Sequence, residues 1–302
     1  MSNPFTDAFP RKAKADPRDP AMPEDGLYPS LSFDRYRALP AWGSSDLKTF
    51  RVGPPAMVPW RRENGSPDTD ATRLGTACHA RILTPDLFDA TYAFKPEGMT
   101  FSSKEGRAWR DEQAGKVILT AKEAAVVEAV DNAVEDNERA WASIVGASHR
   151  EASIIWTDPD TGEVCKARPD WYDADYVYDL KVSRHAGPAL AYRAYAEGWM
   201  HQSAHYRHGL RTLGIGARLG ARLVVVNPKP PHLVYTVTVK DSALDVLTLE
   251  NVNNLGRMRE CRLANDWPGT PWDWTVIAPP DGAILETLGV IDMSGAEEVE
   301  GE

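Results

Sequence analysis

KARPDWYDADYVYDLKVS, residues Lys166 to Ser183, is the stretch whose reading decides the fold. Strand-type residues run from Glu163 to Trp171 and from Tyr176 to Val182, and Asp173, Ala174 and Asp175 between them supply turn chemistry, so the segment predicts a β-hairpin. With the pivot between Ala174 and Asp175, Asp170 faces Asp179, and directly opposed Cβ atoms of an antiparallel pair lie about 4.5–5.5 Å apart. Lys181 follows Asp179 by two residues and shares its face, while Tyr178, Leu180 and Val182 point the other way into a core. Two carboxylates held this close repel each other unless a cation joins them. A divalent metal meets that need, and an oxygen-rich site suits Mg²⁺, which takes one or two carboxylates and completes its shell with water and substrate phosphate. Lys181 beside such an ion can orient a water or neutralise charge on a phosphate. The alternative is plainer: solvated strand ends at Asp170 and Asp179, with Lys181 in a surface ion pair.

Composition narrows the class. At 302 residues the chain can hold one large domain or two small ones, and 42% hydrophobic with 26% charged residues is ordinary for a globular protein. No apolar run reaches the ~20 residues of a membrane span, and the opening MSNPFTDAFPRKAKADPRDP lacks the apolar stretch of a signal peptide, so a cytoplasmic protein is expected. Cys78, Cys165 and Cys261 have no C-x-x-C partners, which argues against a disulfide framework, a structural zinc site or a four-cysteine iron–sulfur cluster.

The net charge of −10 at first opposes a nucleic-acid partner. Its distribution along the chain removes that objection. From Asp281 to Glu302 there are seven acids and no bases, whereas Lys181 to Pro230 holds eight Lys or Arg against the single acid Glu197, with His185, His201, His205 and His208 among them. That basic segment starts at the acid–lysine pair itself, where a phosphate backbone would have to be held.

Along the chain, residues 1–30 contain six prolines and read as a flexible arm, with order expected from about Leu31. Ser44 or Ser45 can cap a short helix starting at Asp46, and VGPPAMVPW cannot continue it. A helix is expected over Asp70–Leu83, ended by Pro85, and another from about Ala121 to Ile144. Strands follow at REASIIWTD and the hairpin; then come two helical pieces between Pro188 and Leu213, two strands within ARLVVVNPKPPHLVYTVTV, and a last helix over Ser242–Asn265. This order indicates a mixed α/β domain, a central sheet with helical cover, over residues 31–275, followed by an acidic tail at 276–302 that is expected to be disordered.

Gln202 and Tyr206, four apart in HQSAHYRHG, share a helix face and can reach a backbone phosphate or order Lys181, although core packing explains such a pair as readily. In combination the motifs say more. His79 in LGTACHARILTP, Glu151 in REASIIW, Asp170, Asp179-Leu180-Lys181 and Gln202-x-x-x-Tyr206, in that order, resemble the PD-(D/E)XK nuclease superfamily. The resemblance is to its RecE (exonuclease VIII) type of phage and prophage exonucleases, kin to the RecB nuclease domain and lambda exonuclease. KEGRAWRDEQAGKVILTAKEA and TGEVCKARPD look like this group too, and the likeness spans roughly Leu31 to Trp274.

The resemblance implies a restriction-endonuclease-like core and a Mg²⁺-dependent DNA exonuclease, with Mn²⁺ expected to substitute. It gives Asp170, Asp179, the Leu180 backbone carbonyl and His79 to the metal, and makes Lys181 the lysine of the acid-x-lysine. Gln202 and Tyr206 become a helix supporting the site, and Glu151 a second-metal or supporting acid. Aspartate in place of glutamate before x-lysine is usual in the RecE and RecB branches. Arg184, Arg193 and Arg207 are candidate phosphate contacts. Duplex DNA ends, a RecT/beta-type single-strand annealing protein and a ring-shaped homo-oligomer are the partners implied, with degradation from the 5′ end. A non-catalytic DNA-binding or assembly protein, and a structure-specific endonuclease, are the competing readings. G-x-S-x-G, G-x-x-x-x-G-K-[ST] and G-x-G-x-x-G motifs are absent, which leaves acyl transfer, a helicase motor and a dinucleotide site without support.

Overall fold

A computed structural model describes residues 22–65, 69–185 and 187–269. In chain order its elements are β1 (Gly26–Tyr28), α1 (Phe33–Ala38), α2 (Ser44–Val52), α3 (Met57–Asn64), α4 (Asp70–Leu83), α5 (Pro85–Thr91) and β2 (Tyr92–Phe94). Next are α6 (Lys104–Glu112), β3 (Val117–Leu119), α7 (Ala121–Asp136), α8 (Glu138–Val145), β4 (His149–Arg150), β5 (Ser153–Thr157) and β6 (Val164–Ala167). The chain continues through β7 (Trp171–Tyr172), β8 (Tyr176–Val182), α9 (Pro188–Ala196), α10 (Trp199–Thr212), β9 (Gly220–Val226), β10 (Val234–Val239) and α11 (Asp241–Ala264).

The central sheet is mixed, in the order β10-β9-β8-β7-β4. Strands β8 and β9 are parallel, from Tyr176 opposite Gly220 to Val182 opposite Val226, so the chain must cross over between them, and α9 and α10 make that crossover. One face of the sheet buries Val177, Leu223 and Val225 against α10, α2 and α11. The other buries Tyr178, Leu180, Val224 and Val226 with residues of α4, α7 and α8. A second sheet, β1-β5-β6, flanks the first, and α10 packs on both. This is the mixed α/β architecture with helical cover that the element order predicts. Among the described residues no helix is long and apolar enough to cross a membrane.

The hairpin has the expected register, Trp171 opposite Tyr178 and Tyr172 opposite Val177, which carries on to Asp170 opposite Asp179. Asp173 builds the turn by accepting from the Asp175 and Tyr176 amides at 2.8 Å. Glu163 to Trp171 is nevertheless not one strand. β6 pairs with β5 in the flanking sheet, β7 pairs with β8 in the central one, and Arg168-Pro169-Asp170 lies between them. Pro169 has no amide to give a ladder, so the pairing changes partner there.

Other boundaries move for local reasons. Order begins before Leu31: Met22 is buried and β1 pairs with β5, Asp25 accepting from the Thr157 amide at 2.9 Å. Helix α2 starts at Ser44 with Gly43 as its cap, and Asp46 accepts from the Gly43 amide at 2.9 Å, so Asp46 sits in the first turn rather than opening the helix. Val52 ends α2 as expected, but α3 forms directly after the prolines. Pro59 falls in its first turn, where amides have no intrahelical acceptor. The long helix expected from Ala121 is cut at Asn137, whose side chain caps α8 by accepting from Ala140 at 3.0 Å. The expected 276–302 tail lies outside the described residues.

Helix α10 reaches the flanking sheet through a glycine. A Cβ on Gly209 would lie 2.6 Å from the Trp156 ring, which is fully buried. Gly209→Ala should therefore force the helix off β5 and cost roughly 1–3 kcal/mol of stability. Urea denaturation measures this, and an unchanged midpoint would contradict the packing argument.

Candidate active site

Strand β8 puts Asp179 and Lys181 on the side of α10 and sends Leu180 between them into the opposite core, where it is fully buried. Asp170 arrives from the bend before β7, and its Oδ2 accepts from the Leu180 amide at 2.6 Å. The backbone of β8 thus fixes one carboxylate while its side chain carries the other. Lys181 Nζ forms an ion pair with Asp179 Oδ2 and donates to Gln202 Oε1 at 3.1 Å. Gln202 Nε2 donates in turn to the Tyr206 hydroxyl. Spacing by four on α10 aligns this pair, so Asp179, Lys181, Gln202 and Tyr206 form one continuous chain.

His79 comes from α4 on the opposite layer, its Nδ1 3.5 Å from Asp170 Oδ2. The ring is partly exposed, but its nitrogen edge faces inward, and burial followed by the Lys181 charge pushes its pKa down to about 3. At neutral pH it is an uncharged imidazole. Glu151 sits between β4 and β5 with φ 50°, left-handed backbone that glutamate seldom adopts. Its amide donates to the Asp170 carbonyl at 2.9 Å, and its carboxylate accepts from Arg168 Nε at 2.8 Å. Arg168 also donates to the Leu31 carbonyl at 2.8 Å and to Ser153 Oγ at 2.9 Å. Sequence reasoning passed over Arg168, although its alternation with Lys166 and Asp170 in KARPD was a visible signal.

The site therefore gathers His79, Glu151, Asp170, Asp179, Lys181, Gln202 and Tyr206. Burial, then the charge of Asp179, holds the Asp170 carboxyl well above the usual carboxylate range. Burial also raises Asp179, against the pull of Lys181, and Glu151, against that of Arg168. Asp179 Oδ2 is buried, and among the described residues it meets the Lys181 ammonium as an ion pair and takes no other hydrogen bond. Crowded, under-satisfied carboxylate oxygens fit a hard cation. Among the described residues no three His, Cys, Asp or Glu side chains gather closely enough to hold a metal between them. Asp170, Asp179 and the Leu180 carbonyl are oxygen donors that would hold such a cation.

The three candidate phosphate contacts separate. Arg184 is exposed just beyond β8. Arg193 pairs with Glu197 at 2.7 Å one helical turn away. Arg207 is buried at 2% exposure and joins α10 to Asp241 and Asp245 of α11, so it is a structural tie and does not face a ligand. A larger basic surface lies elsewhere. A groove of about 800 Å³ between α1, α2 and α3 is lined by Arg37, Lys48, Arg61, Arg62 and Lys166 against Asp46 and Glu63. Arg62 is held by both Asp46 oxygens at 3.0 Å, Lys48 by Glu197 at 3.0 Å and Arg61 by Thr49 Oγ1 at 3.4 Å, while Arg37 is exposed. The missed signal was the basic content of Arg35 to Arg62, outweighed by the denser basic segment after Lys181.

The mixed sheet and its crossover helices make an α+β fold. That fold is shared with a crystal structure from Eubacterium rectale named "putative exonuclease", with a TM-score of 0.58, covering 85% of this chain and 97% of the other at 14% identity. No protein-family model and no curated protein matches the sequence.

The raised carboxyls carry a signed consequence. A carboxyl whose folded pKa is raised favours the fold most below its unfolded value, about pH 4, and that contribution is lost as pH climbs through the folded value. In metal-free protein Asp170→Asn should be more stable than wild type by a margin that widens as pH rises from about pH 4 through the raised folded pKa of Asp170. Thermal unfolding in EDTA tests it; a margin that narrows with pH would show that Asp170 is not the strained acid.

Proposed function

We propose that the protein is a Mg²⁺-dependent DNA exonuclease of the RecE-like PD-(D/E)XK type. The observation that carries the reading is the convergence of Asp170, Asp179 and Lys181 on β8, the middle strand of the central sheet, with Lys181 linked through Gln202 to Tyr206. The fold likeness to a protein named as an exonuclease supports it, as does the basic groove between α1, α2 and α3.

Asp170, Asp179 and the Leu180 carbonyl would hold the Mg²⁺, with His79 beside it. When bound, the ion would supply Lewis-acid polarisation of the scissile phosphate and lower the pKa of a neighbouring water. The chain's own groups do the rest. Lys181, held by Gln202, orients the attacking water or neutralises charge gathering on the phosphate. Tyr206 keeps the Gln202 amide turned with its oxygen toward Lys181. Glu151 and Arg168 fix the bend that presents Asp170, and His79 limits the rotation of its carboxylate. Water adds to phosphorus, the 3′ oxygen leaves, and a 5′-phosphorylated nucleotide is released without a covalent enzyme intermediate. Arg37, Arg61 and Arg184 serve as phosphate contacts in place of Arg207. Attack from the 5′ end of duplex DNA, delivery of the 3′ overhang to a RecT/beta-type annealing protein, and a ring-shaped homo-oligomer belong to the same reading and rest on the resemblance.

Linear duplex DNA labelled at its 5′ or 3′ end should lose the 5′ label first in Mg²⁺. Release should stop in EDTA and fall by roughly 10³-fold or more in Asp179→Ala and Lys181→Ala, the scale of losing a principal electrostatic group. Activity surviving both substitutions would move the active site elsewhere. Cleavage of covalently closed circles would make the protein an endonuclease.

A further inference from the structure

Lys166, four residues before Asp170, makes no contact with the carboxylate cluster. It lies on β6, 8% exposed, and its Nζ donates to three carbonyls at the end of α1: Tyr36 at 3.1 Å, Arg37 at 3.0 Å and Leu39 at 2.8 Å. It also lies 5.2 Å from the centre of the Tyr36 ring. A six-residue helix with no buried residue cannot hold itself in place by packing. A lysine cation at its carboxyl end, bonding the Arg37 and Leu39 carbonyls and sharing the Tyr36 carbonyl with the Leu39 amide, supplies an anchor. The second anchor comes two residues on, where Arg168 donates to the Leu31 carbonyl at the other end of α1. Two residues further is Asp170. One extended segment thus fastens both ends of α1 and delivers a catalytic carboxylate.

We propose that Lys166 is a positioning residue. By fastening α1 to β6 it registers the groove wall that bears Arg37 with Asp170, so that a strand held in the groove meets the carboxylates at the correct phosphate. The proposal rests on the nuclease reading. Four neighbours set its energetics. Arg62 of α3 and Arg37 of α1 repel the Lys166 charge, Asp46 of α2 attracts it, and His205 of α10 bonds its backbone carbonyl at 3.1 Å. Burial, with those arginines, brings its pKa down to about 8. Above that pH the side chain loses its charge and one of three donors, and the hold on three carbonyls weakens.

The test compares wild type with Lys166→Met and Lys166→Arg, reading kcat and KM on linear duplex DNA in Mg²⁺ and the Kd for the same DNA in EDTA. Lys166→Met should raise KM and Kd about tenfold with kcat within about twofold, since binding rather than chemistry is disturbed. The wild-type KM should rise from about pH 7 to about pH 9, while Lys166→Arg, charged throughout, should keep a low and flat KM. The wild-type and arginine profiles decide the matter even if the methionine variant folds poorly. A loss of kcat at unchanged KM, or the same rise of KM with pH in wild type and Lys166→Arg, overturns the proposal while leaving the nuclease reading intact. A wild type that cleaves no DNA removes that reading and the proposal with it.

Discussion

Like-charge crowding inside the sheet is the constraint on which the rest of this structure depends. Asp170, Asp179 and Glu151 are carboxyls whose pKa values burial raises, and Asp179 adds its charge to the strain on the other two. Left alone, such acids would draw water in or rotate apart. The fold limits both with backbone contacts beside the Lys181 and Arg168 side chains. The Leu180 amide grips Asp170, the Glu151 amide grips the Asp170 carbonyl, and Leu180 is locked in the core beneath them. Glu151 accepts a left-handed φ of 50° to make its contact. Strain and desolvated charge in one place cost stability, and sites that use them are where such cost persists.

The same constraint explains the two-sheet plan. A single long strand from Glu163 to Trp171 would have kept Asp170 in a regular ladder, with its backbone groups committed to neighbours. Pro169 ends that ladder, and the chain passes from the flanking sheet to the central one within Arg168 to Asp170. The bend frees the Asp170 carbonyl to meet Glu151 and turns its side chain onto β8. Helix α10 then closes over the junction, since Gly209 lets it lie against Trp156 on one sheet while Gln202 and Tyr206 serve Lys181 on the other.

Much of this was legible in the sequence because it obeys short periods. Alternation by two put Asp170, Asp179 and Lys181 together, spacing by four paired Gln202 with Tyr206, and Asp70–Leu83 announced its own helix with an apolar stripe and a following proline. What was not legible depended on contacts distant in sequence. Arg207 reads as a surface cation until α11 brings Asp241 and Asp245 to it, and β1 is a strand only because β5 offers an edge. Lys166 looks like any strand lysine, yet the carbonyls that define it are about 130 residues earlier. Asn137 and Gly43 are the local exceptions: both are cap residues whose signal was present and was outweighed by the hydrophobic pattern around them.

Net charge is the global quantity that says least about the groove, for a physical reason. Residues 270–302 carry eight Asp or Glu and no Lys or Arg, so they account for eight of the ten net negative charges. Charges in water are screened beyond about 10 Å at moderate ionic strength, so the sum over a chain says little about the charge along any one groove. That lining holds five cations against two acids, and the segment that bears Asp170 also carries the lysine beneath it. Five basic groups thus line the groove, while the three carboxyls of the site are buried and held above their usual range. A chain that is acidic overall can therefore present a locally basic groove as well as a cluster of buried acids.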